Sequence, residues 1–181
     1  MNRAGTVEGD ERFRLFLALE LPDDVTKALA AWSARFLEGG RRVESFHVTL
    51  AFLGSRPRSK LDPIRSALRE SAAEVASFEL EPLRYRETRS VGMLVLGDES
   101  GAATRLATRV QTRLERLGVY RREARPWLPH VTVLRFRERP RLDPPLPALG
   151  PFVPSGAAAF LSCLRSTGAQ YEVLESCPFA S

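Results

Sequence analysis

Positions 13, 15, 17, 19 and 21 are Phe or Leu, and they alternate with Arg14, Phe16, Ala18 and Glu20. Successive side chains of an extended chain point to opposite sides, so this period of two predicts a strand with one strongly buried face, ended by Pro22. Asp23 and Asp24 then suit the positive end of a helix. Val25, Leu29, Trp32 and Phe36 follow at helical spacing until Gly39 and Gly40 stop the run. An apolar, β-branched stretch at 45–53, closed by Gly54, predicts a second strand. Asp62 and Pro63 read as N-cap and first helical position of a second helix, whose buried face carries Ile64, Leu68, Ala72 and Val75. Strand-like runs cover 78–86 and 91–96. The clearest helix spans 102–117, with Leu106, Val110, Leu114 and Leu117 on one stripe and Gly118 as terminator.

The run 130–136 is again β-branched, whereas the proline-rich segment 140–154 fits neither a central strand nor a helix interior and predicts a long loop. Two last strands, 157–164 and 170–176, are joined by a turn at Thr167 and Gly168. Helices interleaved with strand pairs predict an α+β protein in which antiparallel sheet carries helices on one face.

A length of 181 residues suits one domain, read here as a flexible N-terminal extension over 1–12 and a single bilobal domain over 13–181. Hydrophobic residues at 44% and charged residues at 27% exclude a disordered chain. The polar first residues, with Glu8, Asp10 and Glu11, lack the apolar core of a signal peptide, and no stretch approaches a membrane span, which predicts a cytoplasmic protein. Cys163 and Cys177 are the only cysteines and lie in no CxxC or Cys/His grouping, so neither a disulfide framework nor a zinc site is indicated.

The net charge of +5 is carried almost wholly by arginine, since Lys27 and Lys60 are the only lysines. Guanidinium forks match phosphate oxygens, which points to a polyanionic substrate, although a GC-rich coding genome also enriches arginine. Arg105, Arg109, Arg113 and Arg116 form a stripe on the third helix. Its first reading is a solvated basic face, and its second an RNA contact.

The chain has two histidines, and each opens the same type of tetrapeptide: His47-Val48-Thr49-Leu50 and His130-Val131-Thr132-Val133. In a strand, His and Thr two apart share a face while the valines and Leu50 anchor the other in a core. The 83 positions between the copies are close to half the chain, which suggests two related lobes facing each other across a groove. One histidine on a strand is usually structural. A matched pair supplies what proton transfer near neutral pH requires, an acid and a base. Metal binding by the pair lacks support, because neither histidine has a second ligand at helical or loop spacing.

HVTL and HVTV at this separation resemble the twin HxTx signatures of the two-histidine (2H) phosphoesterase superfamily, in particular its LigT-like branch of RNA 2′,3′-cyclic phosphodiesterases, once described as 2′-5′ RNA ligases. The segments RLFLALELP, HVTLAFLG, PHVTVLR and LRSTGAQYEVL extend the resemblance over nearly the whole chain beyond residue 12. It implies two pseudo-twofold-related lobes of antiparallel sheet, helices outside and a central groove. It also implies metal-independent hydrolysis of a terminal 2′,3′-cyclic phosphate to a 2′-phosphate, with no cofactor. His130 is then the base for water, His47 the acid for the leaving O3′, and Thr49 and Thr132 donors to the phosphate oxygens. Arg135 would contact phosphate and Phe52 stack on a nucleobase, with Trp127 as an alternative platform. Strict alternation puts a residue five positions after its histidine on the wrong face, so these last roles require the strands to end, bulge or twist near Ala51 and Leu134. The expected partner is RNA ending in a cyclic phosphate, or a small cyclic nucleotide, acted on by a monomer with no obligatory protein partner. Ligation or cleavage of 2′-5′ linkages by the same site is an alternative, and a non-catalytic RNA-binding module is the alternative from another class.

Overall fold

In the computed structural model the described residues are 11–165 and 168–180. Eight strands, β1 (Arg12–Glu20), β2 (Arg41–Arg42), β3 (His47–Pro57), β4 (Glu81–Glu87), β5 (Val91–Gly97), β6 (His130–Arg135), β7 (Gly156–Arg165) and β8 (Gly168–Cys177), join three helices, α1 (Asp23–Phe36), α2 (Leu61–Ala73) and α3 (Ala102–Arg116). The strands form one sheet in the order β4-β5-β6-β3-β1-β7-β8, with the short β2 also pairing to β6. Every pairing between these strands is antiparallel. The two expected lobes are therefore halves of one curled sheet, and each half has the plan strand, helix, histidine strand: β1-α1-β3 and β5-α3-β6.

Each half reaches into the other, one through a whole helix and one through a single side chain. α3 of the second half packs on β3 of the first. There its buried Gln111 donates an Nε2 hydrogen bond to the Leu50 carbonyl at 2.9 Å. From the first half, Trp32 of α1 packs edge-on against Tyr85 of β4 and donates to the Pro145 carbonyl at 2.7 Å. One core of Leu15, Leu17, Leu19, Leu50, Leu106, Leu114 and Val131, among others, runs continuously beneath both halves.

The expected elements are present, with instructive differences. β1 begins at Arg12, and Glu11 bonds Arg58, so the residues just before 13 belong to the fold, while 1–10 lie outside the described residues. β3 does not stop at Gly54, which takes a left-handed φ of 65° at an irregularity and lets the strand run on to Pro57. α2 starts at Leu61, so Asp62 is a first-turn acid rather than the N-cap. Of the turn expected at 167–168, Thr167 lies outside the described residues and Gly168 opens β8.

β1 buries both faces. Leu15, Leu17 and Leu19 enter the main core, while Phe16 and Ala18 join a smaller cluster with Ala158, Phe160 and Tyr171 on the other side of the sheet. The loop after β6 is fixed by Glu87. Its buried carboxylate accepts from the Arg139 guanidinium (3.0 Å), from the backbone N–H groups of Arg141 (3.0 Å) and Leu142 (2.8 Å), and from the Tyr85 hydroxyl (3.2 Å).

Two of the four arginines in the α3 stripe form an interhelical clasp. Arg109 and Arg113 both pair with Glu74 just beyond α2, Arg113 also reaches Glu70, and Arg105 bonds the Ser100 carbonyl. Arg105 and Arg116 are exposed, as a solvated face requires, whereas Arg109 and Arg113 are held by acids.

Gln111 generates a stability prediction. Gln111→Leu removes the donor and leaves the Leu50 carbonyl buried without a partner, which costs about 1–3 kcal/mol. Urea unfolding should register that loss, and an unchanged midpoint would show that the carbonyl finds another donor.

Candidate active site

The halves of the sheet meet through a single paired position, Val48 against Val131. Both valines are fully buried, so the residues on either side of them face the opposite side of the sheet. Antiparallel pairing about this point sets His47 across from Thr132 and Thr49 across from His130. The two tetrapeptides thus interlock head to tail, and each imidazole neighbours the other strand's hydroxyl.

The first six residues of β3 and the six of β6 share one pattern of burial, half-buried at His and Thr, buried at the second, fourth and fifth positions, exposed at the sixth. Two bulges produce it. Against β1, Ala18 opposes Thr49 and Leu17 opposes Ala51, leaving Leu50 as the extra residue. Against β5, Met93 opposes Thr132 and Gly92 opposes Leu134, leaving Val133 as the extra residue. Two consecutive side chains then enter the core, and alternation resumes one position late. Phe52 and Arg135, five residues beyond their histidines, consequently emerge on the histidine face. Each bulged carbonyl is satisfied from outside the ladder, Leu50 by Gln111 and Val133 by the N–H of Val43 at 3.1 Å.

The rings are oriented by backbone two residues upstream. His130 Nδ1 lies 2.8 Å from the Leu128 carbonyl, which places the proton on Nδ1 and leaves Nε2 for chemistry. For His47 the backbone of Ser45 plays the corresponding part, favouring the protonated ring. Burial outweighs it and, with the positive charges of Arg135 and His130, lowers the His47 pKa to about 4. His47 is therefore neutral at pH 7.

Phe16 lies 4.8 Å from the His47 ring, centroid to centroid, and Tyr171 stands edge-on to it at 5.5 Å. These two, with Phe160, form an aromatic shelf that the sequence reading missed. The available signal was Phe16, a large apolar residue on the nominally polar face of β1. The shelf borders a groove of about 1030 Å³ whose walls include Arg14, His47, Thr49, Phe52, Arg135 and Tyr171. His130 and Thr132 join this face through the strand pairing. Phe52 is 51% exposed and is covered on one side by the Arg14 guanidinium, 4.9 Å from the ring centroid. Trp127 packs instead against the main core and donates from Nε1 to the Thr49 carbonyl at 2.9 Å, which ties the approach to β6 onto β3. No group of three or more His, Cys, Asp or Glu side chains among the described residues is placed to hold a metal ion. No described helix is long and apolar enough to cross a membrane.

A second hollow of about 670 Å³ lies between the end of α2 and the start of α3, but its Arg105 and Arg109 are already engaged by Ser100 and Glu74. The groove beside the histidine strands is the candidate site.

The chain resembles known proteins in both sequence and structure. It is 22% identical over 128 residues to the RNA 2′,3′-cyclic phosphodiesterase of Methanocaldococcus jannaschii, covering 68% of this chain and 72% of that one. Escherichia coli LigT, solved in complex with 3′-AMP, superimposes with a TM-score of 0.81 at 22% identity, covering 94% of this chain and all of that one. A protein of Thermus thermophilus superimposes with a TM-score of 0.77 at 28% identity, covering 91% of this chain and 96% of that one. The profile describing the 2′-5′ RNA ligase superfamily matches residues 21–172, most of the chain including both histidine strands, and the protein belongs to that superfamily.

Proposed function

We propose that the protein is a phosphodiesterase that opens a terminal 2′,3′-cyclic phosphate on RNA, with His47 and His130 as its acid–base pair. The observation that carries this reading is the head-to-tail interlock of the two tetrapeptides at Val48 and Val131, which sets two imidazoles and two hydroxyls on one face beside an open groove. Membership of the 2′-5′ RNA ligase superfamily, and the activity for which the archaeal relative is named, agree with it.

The chemistry is an in-line displacement. Water attacks phosphorus as one imidazole removes its proton, the P–O3′ bond breaks, and the other imidazole protonates O3′, leaving a 2′-phosphate. Thr49 and Thr132 donate to the non-bridging oxygens as negative charge spreads onto them. Arg135 adds a guanidinium fork for the same oxygens, and the open face of Phe52 receives the base.

The resemblance makes His130 the base and His47 the acid. His47 is neutral in the free protein, so in that role the proton it delivers must arrive as the anionic phosphate enters and offsets Arg135. The reverse assignment, neutral His47 as base, is favoured by the same lowered pKa.

With an oligonucleotide ending in a cyclic phosphate, His47→Ala and His130→Ala should each lower turnover by at least about 10²-fold. Thr49→Val and Thr132→Val should lower it by about the same factor each. Phosphorus NMR should identify a 2′-phosphate product, and EDTA should leave the rate unchanged. Full turnover in either histidine variant would end the proposal.

The kcat/KM profile should be bell-shaped, because one ring must be protonated and the other neutral. Since His47 loses its proton at about 4, the acid limb should lie near that pH rather than near the ordinary histidine value, and it belongs to the pair jointly. A profile with one limb would show that only one ring transfers a proton.

A bell has the same form whichever ring is the acid, so a sulfur leaving group separates the roles. A 3′-thiolate departs without protonation, and a 3′-S-phosphorothiolate substrate should restore turnover to the variant lacking the acid and not to the variant lacking the base. Rescue of His47→Ala supports His47 as the acid, and rescue of His130→Ala supports the reverse.

A further inference from the structure

Most arginines engaged with acids in this fold serve its packing: Arg65 and Arg69 share Glu175, Arg109 and Arg113 share Glu74, and Arg139 holds Glu87. The groove is different. Arg14, Arg41, Arg42 and Arg135 all line it, and among the described residues none of them forms an ion pair. Glu44 is the only carboxylate among the described residues on its walls. Like charges gathered without counter-ions are costly unless a ligand supplies them. A single cyclic phosphodiester carries one negative charge, fewer than these cations can accept.

Their positions divide the work. Arg14 is spread over Phe52, and Arg135 acts electrostatically on His47, so these two belong to the terminal nucleotide. Arg41 is the strand partner of Arg135 across the β2–β6 pairing, which sets it one strand beyond, on the same face. The approach is close: a Cβ on Gly40 would lie 2.5 Å from the Arg135 carbonyl oxygen, so only glycine lets β2 pack here. Arg42 pairs with the buried Leu134, yet it is exposed and also borders the groove.

We infer that Arg41 and Arg42 form a second phosphate subsite, which holds the phosphodiester on the 5′ side of the terminal nucleotide. This rests on the phosphodiesterase reading and narrows it. The preferred substrate is an RNA strand ending in a cyclic phosphate, and a cyclic mononucleotide, which lacks the second phosphate, is the poorer one.

The test compares kcat/KM for a 2′,3′-cyclic mononucleotide and for a pentanucleotide with the same end. The wild-type protein should prefer the pentanucleotide by about 10-fold or more, the scale of one or two charge-assisted phosphate contacts. Arg41→Gln/Arg42→Gln should bring the ratio toward one. It should also reduce the salt slope of log kcat/KM for the pentanucleotide by about 0.7, the value for one single-strand phosphate contact. Arg116→Gln/Arg121→Gln, which removes the same charge from exposed positions elsewhere, should leave the ratio as it is.

A modified substrate tests the same contact without altering the protein. Replacing only the 5′-side phosphodiester of the terminal nucleotide by a neutral methylphosphonate should cost the wild type the same factor, and should cost the Arg41→Gln/Arg42→Gln protein nothing more. Equal wild-type activity on both substrates, or an unchanged ratio in the double variant, overturns this inference and leaves the phosphodiesterase reading standing. Inactivity of the wild type on both overturns the two together.

Discussion

One contact between two valines organises this molecule. Among the described residues, Val48 and Val131 are the only ones through which β3 and β6 are paired, and their side chains are wholly buried. That single rung fixes the sliding position of one half of the sheet against the other. A slip by one residue would turn the imidazoles and hydroxyls into the core and the valines into the groove. The site therefore depends on a register, and the register is held by apolar burial on the side of the sheet away from the chemistry.

The paired bulges are the second constraint. By admitting Leu50 and Val133 as extra residues, both strands bring their sixth side chains back to the groove, which is how an aromatic ring and a guanidinium come to flank two histidines. A bulge frees backbone groups, and the fold satisfies them from different sources, a helix side chain on one half and a loop N–H on the other. The pseudo-symmetry is therefore of geometry and not of supporting contacts.

What could be read in the sequence follows the range of each signal. Alternation and helical spacing are local, so β1, α1 and α3 were legible to within a residue or two, and the repeated tetrapeptide exposed the histidine pair without any coordinates. β2 was not legible, because two arginines after two glycines carry no periodicity. Only the pairing with Arg135 makes them a strand. The bulges were foreseen as a requirement of the chemistry, since nothing in the letters at 50 and 133 signals them. The basic stripe of α3 reads as a surface feature until Glu70 and Glu74, far away in sequence, arrive beside it. The aromatic shelf was hidden by the assumption that a strand with one apolar face exposes the other.

The reach of each half into the other has a further consequence. Neither half of the polypeptide carries a complete cover for its own strands, because β3 is roofed by a helix made later in the chain and β4 rests against one made earlier. The cleft is thus no seam between two self-contained pieces, because contacts from each half complete the packing of the other. One core underlies both histidine strands, so a helix from the second half is also part of the bed on which His47 is set.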